Sequence, residues 1–125
     1  MENSDNRTIK RQIKSKRQQL ALKYAFEKIK NSPVLPYINA VYLFGSCARR
    51  EEKFSSDVDL LMEIDCNFPK NSELKMELIK LKSAVSSDDI DDPKTDLKIV
   101  TGDEWKRNKM LFYRNIREEG IQIWP

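Results

Sequence analysis

The chain has 125 residues, of which 39% are hydrophobic and 34% charged, with a formal net charge of +3. That balance suits one soluble domain with a single core, and excludes disorder throughout, a membrane protein or a second full domain for substrate recognition. With no histidine, and with Cys47 and Cys66 in no metal-ligand spacing, most zinc sites and any His-based nucleophile are also removed.

Residues 1–6 are polar and read as a frayed start. No apolar stretch of a signal peptide follows Met1, and apolar runs such as residues 41–44 are far too short to span a bilayer, so a cytoplasmic, reducing location is expected. Residues 7–30 carry a helical pattern through Ile9, Ile13, Leu20, Tyr24, Phe26 and Ile29. The first half of that segment is basic, with Arg7, Lys10, Arg11, Lys14, Lys16 and Arg17 and no acidic residue between them. Such a run would suit RNA phosphates or an acidic partner; a solvated helix face is favoured, because no aromatic platform for single strands is interleaved. Asn31-Ser32-Pro33 ends the helix, and Pro33 and Pro36 impose an extended connection. Residues 38–44 then read as a strand that is apolar on both faces and therefore central.

The next stretch carries the chemistry. Gly45 permits a sharp exit from the strand, and a short helix over residues 46–50 would aim the backbone N–H groups near Ser46 and Cys47 outward, at the end of a helix where anions bind. Beyond ten intervening residues after Ser46, Asp57-Val58-Asp59 opens a second strand over residues 57–64. Alternation puts Asp57 and Asp59 on one face, with Leu61 and Glu63, and Val58, Leu60, Met62 and Ile64 on the other. Two adjacent carboxylates repel unless a cation lies between them, and hard oxygen donors suit Mg²⁺, which completes its shell with water and substrate phosphate. A phosphate turn beside a metal strand implies a nucleoside triphosphate. Cys47 falls within the turn; a small residue that merely fits is favoured over a reactive thiol.

Pro69, Asn71 and Ser72 mark a helix start, and Leu74, Leu78, Leu81 and Val85 continue it at helical intervals back across the sheet. Residues 86–92, with Asp88, Asp89, Asp91 and Asp92, lack the glycine and spacing of a calcium loop and read as a solvated loop closed by Pro93. A strand follows over residues 95–100. Thr101-x-x-Glu104 has the form of a capping box, opening a helix through Trp105, Lys109, Phe112 and Ile116 that Gly120 stops. Residues 121–124 make a short last strand. An α+β fold is expected, one domain over residues 1–125 with a small mixed sheet flanked by helices.

The order Gly45-Ser46, ten residues, Asp57-x-Asp59, with Leu43-Phe44 before and Ala48-Arg49 after, resembles the minimal nucleotidyltransferases of the DNA polymerase beta-like superfamily. The resemblance spans residues 38–124. Many members have a glycine where Arg50 stands, a departure that bears on the detailed conformation of the loop and not on the resemblance itself. The resemblance implies that Asp96 joins Asp57 and Asp59 as a catalytic and metal-holding triad for two Mg²⁺ ions. It also implies that Gly45, Ser46, Cys47, Arg49 and Ser56 line the nucleotide phosphates, with ATP as donor. Family members are often encoded beside a helical HEPN-domain ribonuclease, and some act as antitoxins that place AMP on a tyrosine of that partner. The expected function is thus transfer of AMP to a protein hydroxyl, with no membrane or direct nucleic-acid partner. A contact-only antitoxin and an aminoglycoside-type transferase are the alternatives; the latter usually carries an extra helical domain that this length excludes.

Overall fold

A computed structural model describes residues 13–125. The part of the basic run formed by Arg7, Lys10 and Arg11, and the expected frayed start, lie outside the described residues. The elements are α1 (Lys16–Lys30), β1 (Ile38–Phe44), α2 (Gly45–Ala48), β2 (Val58–Ile64), α3 (Ser72–Ala84), β3 (Thr95–Thr101), α4 (Leu111–Glu119) and β4 (Ile121–Trp124), with 3-10 turns at Leu35–Tyr37 and Glu104–Lys106. The strands form one sheet in the order β3-β2-β1-β4. β1 is antiparallel to both β2 and β4, whereas β2 and β3 run parallel, as a crossover through α3 requires. The fold is the mixed α+β arrangement expected.

One face of the sheet carries Val41, Leu43, Val58, Leu60, Met62 and Leu97, packed against Leu22, Ala25 and Ile29 of α1 and Leu81 of α3. A smaller core lies on the other face, where Leu61, Phe44, Trp105 and Ile116 meet. This is the face of Asp59, and the second core covers it in part, as a strand apolar on both faces requires. Here Tyr42 stands edge-on to Trp105, ring centroids 5.1 Å apart, and Phe44 edge-on to Phe112 at 5.7 Å. Among the described residues no helix is long and apolar enough to cross a membrane.

Three expectations need correction. The first helix does not run through Ile13 and Ser15: Ser15 has an extended backbone (φ −85°, ψ 127°) and its N–H donates to Glu52 Oε2 at 2.9 Å, so the helix begins at Lys16. Its inner stripe is Gln18, Leu22, Ala25, Phe26 and Ile29, while Leu20 and Tyr24 face outward at 55% and 38% exposure. The phase was hidden by Gln18, a polar residue that is fully buried because its Nε2 donates to the carbonyls of Lys53, Phe54 and Ser56 at 3.0–3.2 Å.

The third correction concerns Thr101 to Ile116. Thr101 ends β3, Asp103 precedes a single 3-10 turn, and α4 starts only at Leu111. Trp105 explains the break: its Nε1 donates to Glu63 Oε1 at 2.7 Å across 42 residues, and its carbonyl accepts from Arg117 Nη1 at 2.7 Å. A tryptophan pinned at both ends cannot also lie on the continuous face of one long helix. Gly120 does follow α4, but with φ −67°; it is needed for space, since a Cβ there would strike the Ile116 carbonyl.

Glu63 is 5% exposed, and Asn39 Nδ2 at 3.3 Å and Lys106 Nζ at 4.0 Å complete its surroundings. Trp105→Phe keeps the ring and leaves a buried carboxylate short of a donor. It should destabilise the protein by roughly 1.5–3 kcal/mol, the usual worth of a hydrogen bond to a charged group, read as a lower urea midpoint with an unchanged slope.

Candidate active site

The site is assembled at one end of the sheet by three register facts. Phe44 is paired with Asp59 across β1 and β2, Asp59 with Asp96 across β2 and β3, and Gly45 follows Phe44 directly. In a parallel pair, residues in register project to the same face, so Asp59 and Asp96 stand side by side. Asp57 precedes the first residue of β2 and is exposed, as is Asp96, while Asp59 is half-buried.

Gly45 turns the chain between strand and helix at φ +75°, a region that side chains rarely adopt. A Cβ at this position would overlap Asp59 Oδ2. The glycine therefore serves twice: it makes the turn, and it lets the backbone of the turn lie against the carboxylate. Arg50, where many relatives have glycine, also takes a positive φ of 59°, so the departure in residue type leaves a left-handed conformation in place.

The electrostatics concentrate on Asp59. Burial, and then the carboxylates of Asp96 and Asp57, push its pKa from 3.8 up to about 6, against the lowering effect of Arg49 and Lys98. Lys98, two residues along β3, lies 3.9 Å from Asp96 Oδ2. Three hard oxygen donors in a field that is negative enough to hinder ionisation fit a divalent cation in chemical type. As the side chains stand, no three Asp, Glu, Cys or His groups among the described residues converge closely enough to hold an ion.

Of the residues expected to line the phosphates, Gly45 and Arg49 are both engaged by Glu119, a residue that no spacing in the sequence marks. Glu119 Oε1 accepts from the Gly45 N–H at 3.4 Å and from Arg49 Nη1 at 3.0 Å, and Arg49 Nε also donates to Glu51 at 2.7 Å. Ser46 is half-buried, and its carbonyl closes the turn by accepting from the Glu51 N–H at 2.9 Å. The Ser56 hydroxyl accepts from the Lys53 N–H at 2.8 Å and so shapes the loop before Asp57. Gln18 clamps that same loop from beneath.

Cys47 is completely buried, with its Sγ 3.6 Å from the Asp57 carbonyl, and burial followed by the nearby Glu52, Asp59 and Asp57 raises the thiol to about 12. It packs the turn against the segment that leads into β2, and its burial disfavours the thiolate that a nucleophile needs. A groove of about 640 Å³ lined by Lys16, Arg17, Leu20, Tyr24 and Val85 lies in the layer of α1. Asp92 is the one carboxylate in its lining, and neither Asp59 nor Asp96 reaches it.

Two measurements follow from these shifts. At pH 8 a thiol reagent should label the exposed Cys66 in the native protein and spare Cys47 until the chain is unfolded, giving one and then two thiols per chain. Between pH 3.8 and about 6 the folded protein retains a proton on Asp59 that the unfolded chain gives up, so this group's contribution to stability falls as pH rises through that window. In chelator, urea midpoints at pH 4.5 and 7 should diverge more for wild type than for Asp59→Asn.

The family model described as polymerase beta, nucleotidyltransferase matches residues 27–124. A crystal structure from Sulfolobus solfataricus, provisionally assigned as a nucleotidyltransferase, superposes with a TM-score of 0.55 at 22% identity, covering 86% of this chain and 83% of that one. The crystal structure of a toxin–antitoxin with AMP-PNP superposes with a TM-score of 0.50 at 20% identity, covering 82% of this chain and 71% of that one. No curated protein sequence matches. At such identities the two structures speak for the fold, and the family model, which spans most of the chain, speaks for descent: the chain belongs to the polymerase beta nucleotidyltransferase family.

Proposed function

We propose that the protein transfers AMP from ATP to a hydroxyl of a protein acceptor, a cognate HEPN-type toxin that it neutralises. The observation that carries the reading is the register pairing of Asp59 with Asp96 beside the Gly45 turn, which sets two carboxylates against a backbone suited to phosphate. Asp57, Asp59 and Asp96 are the residues that would hold Mg²⁺, two ions in the fullest form. Bound there, the ions would neutralise phosphate charge and lower the pKa of the attacking hydroxyl.

In the transfer, the acceptor oxygen attacks the α-phosphorus, a new P–O bond forms, the bond from that phosphorus to the bridging oxygen breaks, and pyrophosphate leaves with the electron pair. Asp96, the more exposed of the paired carboxylates, would take the acceptor's proton, with Lys98 Nζ 3.9 Å from its Oδ2. The Gly45 turn and Arg49 would hold the departing pyrophosphate. No histidine is needed.

A protein acceptor is supported by the segment before and within α4. Met110 and Leu111, next in sequence to Phe112, which packs on Phe44, are 62% and 68% exposed, and Lys106, Arg107, Lys109 and Arg114 fall in the same segment with no acidic residue between Glu104 and Glu118. Phe112, in the same ridge, is already edge-on to Phe44 and Tyr113, so its ring is less free for base stacking than for protein contact. The likeness to a toxin–antitoxin solved with AMP-PNP adds to this reading.

The test is to incubate the purified protein with labelled ATP, Mg²⁺ and the product of the adjacent gene, and to look for the mass of one or more AMP units on that product. Asp57→Ala, Asp59→Ala and Asp96→Ala should each lower transfer by at least about 10²–10³-fold, the usual cost of removing a preorganised electrostatic group, while remaining folded. Wild-type transfer by Asp59→Ala would overturn the assignment. Tight association without modification would favour neutralisation by contact, and AMP on an aminoglycoside would favour a small-molecule acceptor.

A further inference from the structure

Glu119 is an odd residue to find on a phosphate turn. It is the last residue of α4, where the helix's own dipole disfavours a carboxylate. Yet its side chain is only 25% exposed, and one oxygen, Oε1, receives both the Gly45 N–H and Arg49 Nη1. These are two of the groups that the reading of the turn as a phosphate cradle requires. An apolar packing residue would accept from neither donor; this carboxylate accepts from both and brings a charge opposite to that of Arg49.

We propose that Glu119 is a built-in competitor for the nucleotide's terminal phosphates, and so a determinant of the site's selectivity for triphosphate over monophosphate. The inference rests on the nucleotide reading above and adds a residue to it. In the free protein Glu119 neutralises Arg49 and caps the turn. A ligand displaces it only by bringing more negative charge to the same donors, which the β and γ phosphates do and the α phosphate, seated by the aspartates, does not. Once pyrophosphate has formed, the return of Glu119 to Gly45 and Arg49 competes with the product and favours its release. Arg49 is well suited to this exchange: its Nε remains on Glu51 at 2.7 Å while Nη1 changes partner, so the guanidinium need not be carried across the site.

The experiment is a calorimetric titration of wild type, Glu119→Gln and Glu118→Gln with MgATP, pyrophosphate and AMP. Glu118 is the exposed neighbour and removes the same charge without the contacts. Glu119→Gln should bind MgATP and pyrophosphate about tenfold more tightly, corresponding to about 1.4 kcal/mol, with AMP affinity unchanged and Glu118→Gln like wild type. In turnover, its KM for ATP should fall while pyrophosphate becomes a stronger inhibitor. Should Glu119→Gln fail to fold by circular dichroism, Glu119→Asp, whose shorter stem draws the carboxylate back, should show the same change at smaller size. Equal or weaker MgATP binding by the variant would overturn the inference, as would equal tightening by Glu118→Gln or of AMP. If wild type itself failed to bind MgATP, the proposed function would fall and the inference with it; if wild type bound and the variant gained nothing, only the inference would fall.

Discussion

The close approach of Gly45 to Asp59 is the constraint on which the rest of the structure depends. A backbone turn can lie against a carboxylate only if nothing projects from the turn, and Gly45 alone among the residues of that segment meets the condition, with a φ of +75°. Everything else at this end of the molecule serves to keep the two together. The antiparallel pairing of Phe44 with Asp59 sets the height of the turn, and the parallel pairing of Asp59 with Asp96 brings in the second carboxylate from a strand more than thirty residues further along. Neither pairing would survive a slip of one residue, because such a slip sends every side chain of a strand to the opposite face.

The helices contribute by holding the loops rather than by supplying donors. Gln18, buried within α1, gathers three carbonyls of the segment that delivers Asp57, and Glu52, 6% exposed, accepts the Ser15 N–H from the other direction. On the far face, the link from Trp105 to Glu63 anchors the C-terminal elements to β2, the strand that carries Asp59. A single strand is thus fixed from both ends: by Gly45 near its start and by Trp105 near its finish. Such overdetermination is what allows Asp59 to persist in surroundings that raise its pKa to about 6, since the cost of burying a carboxylate, and of the negative charge near it, must be met by packing elsewhere.

How much of this could be read beforehand depended on whether the signal was local. The period-two pattern of Val58, Leu60, Met62 and Ile64, and the interval from Ser46 to Asp57, are local, and they led to the sheet, the turn and the aspartates. Long-range pairs were not legible. Gln18 broke the apolar stripe of α1 because its partners lie 35 to 38 residues away, and Leu20 and Tyr24 consequently looked like core residues. Trp105 looked like the first turn of a helix because its partner, Glu63, is 42 residues away. Thr101 and Glu104 had the spacing of a capping box, but β3 extends to Thr101 in pairing with Ile64 and leaves that threonine no freedom to cap. Each error arose where a tertiary contact outweighed a local preference.

Glu119 shows the same limit at the site itself. It lies 70 residues from Arg49 and 74 from Gly45, and nothing in its neighbourhood of sequence distinguishes it from Glu118. Its place is a consequence of β4: because Ile121 pairs with Leu43 and Gln122 with Tyr42, the chain must leave α4 beside the end of β1, and the last side chain of the helix falls on the turn that follows that strand. The C-terminal strand is therefore more than an edge that closes the sheet. By pairing with β1 it carries the Glu119 carboxylate onto the Gly45 turn, so that under the proposed function any phosphate bound at that turn would contend with a charge supplied by the fold.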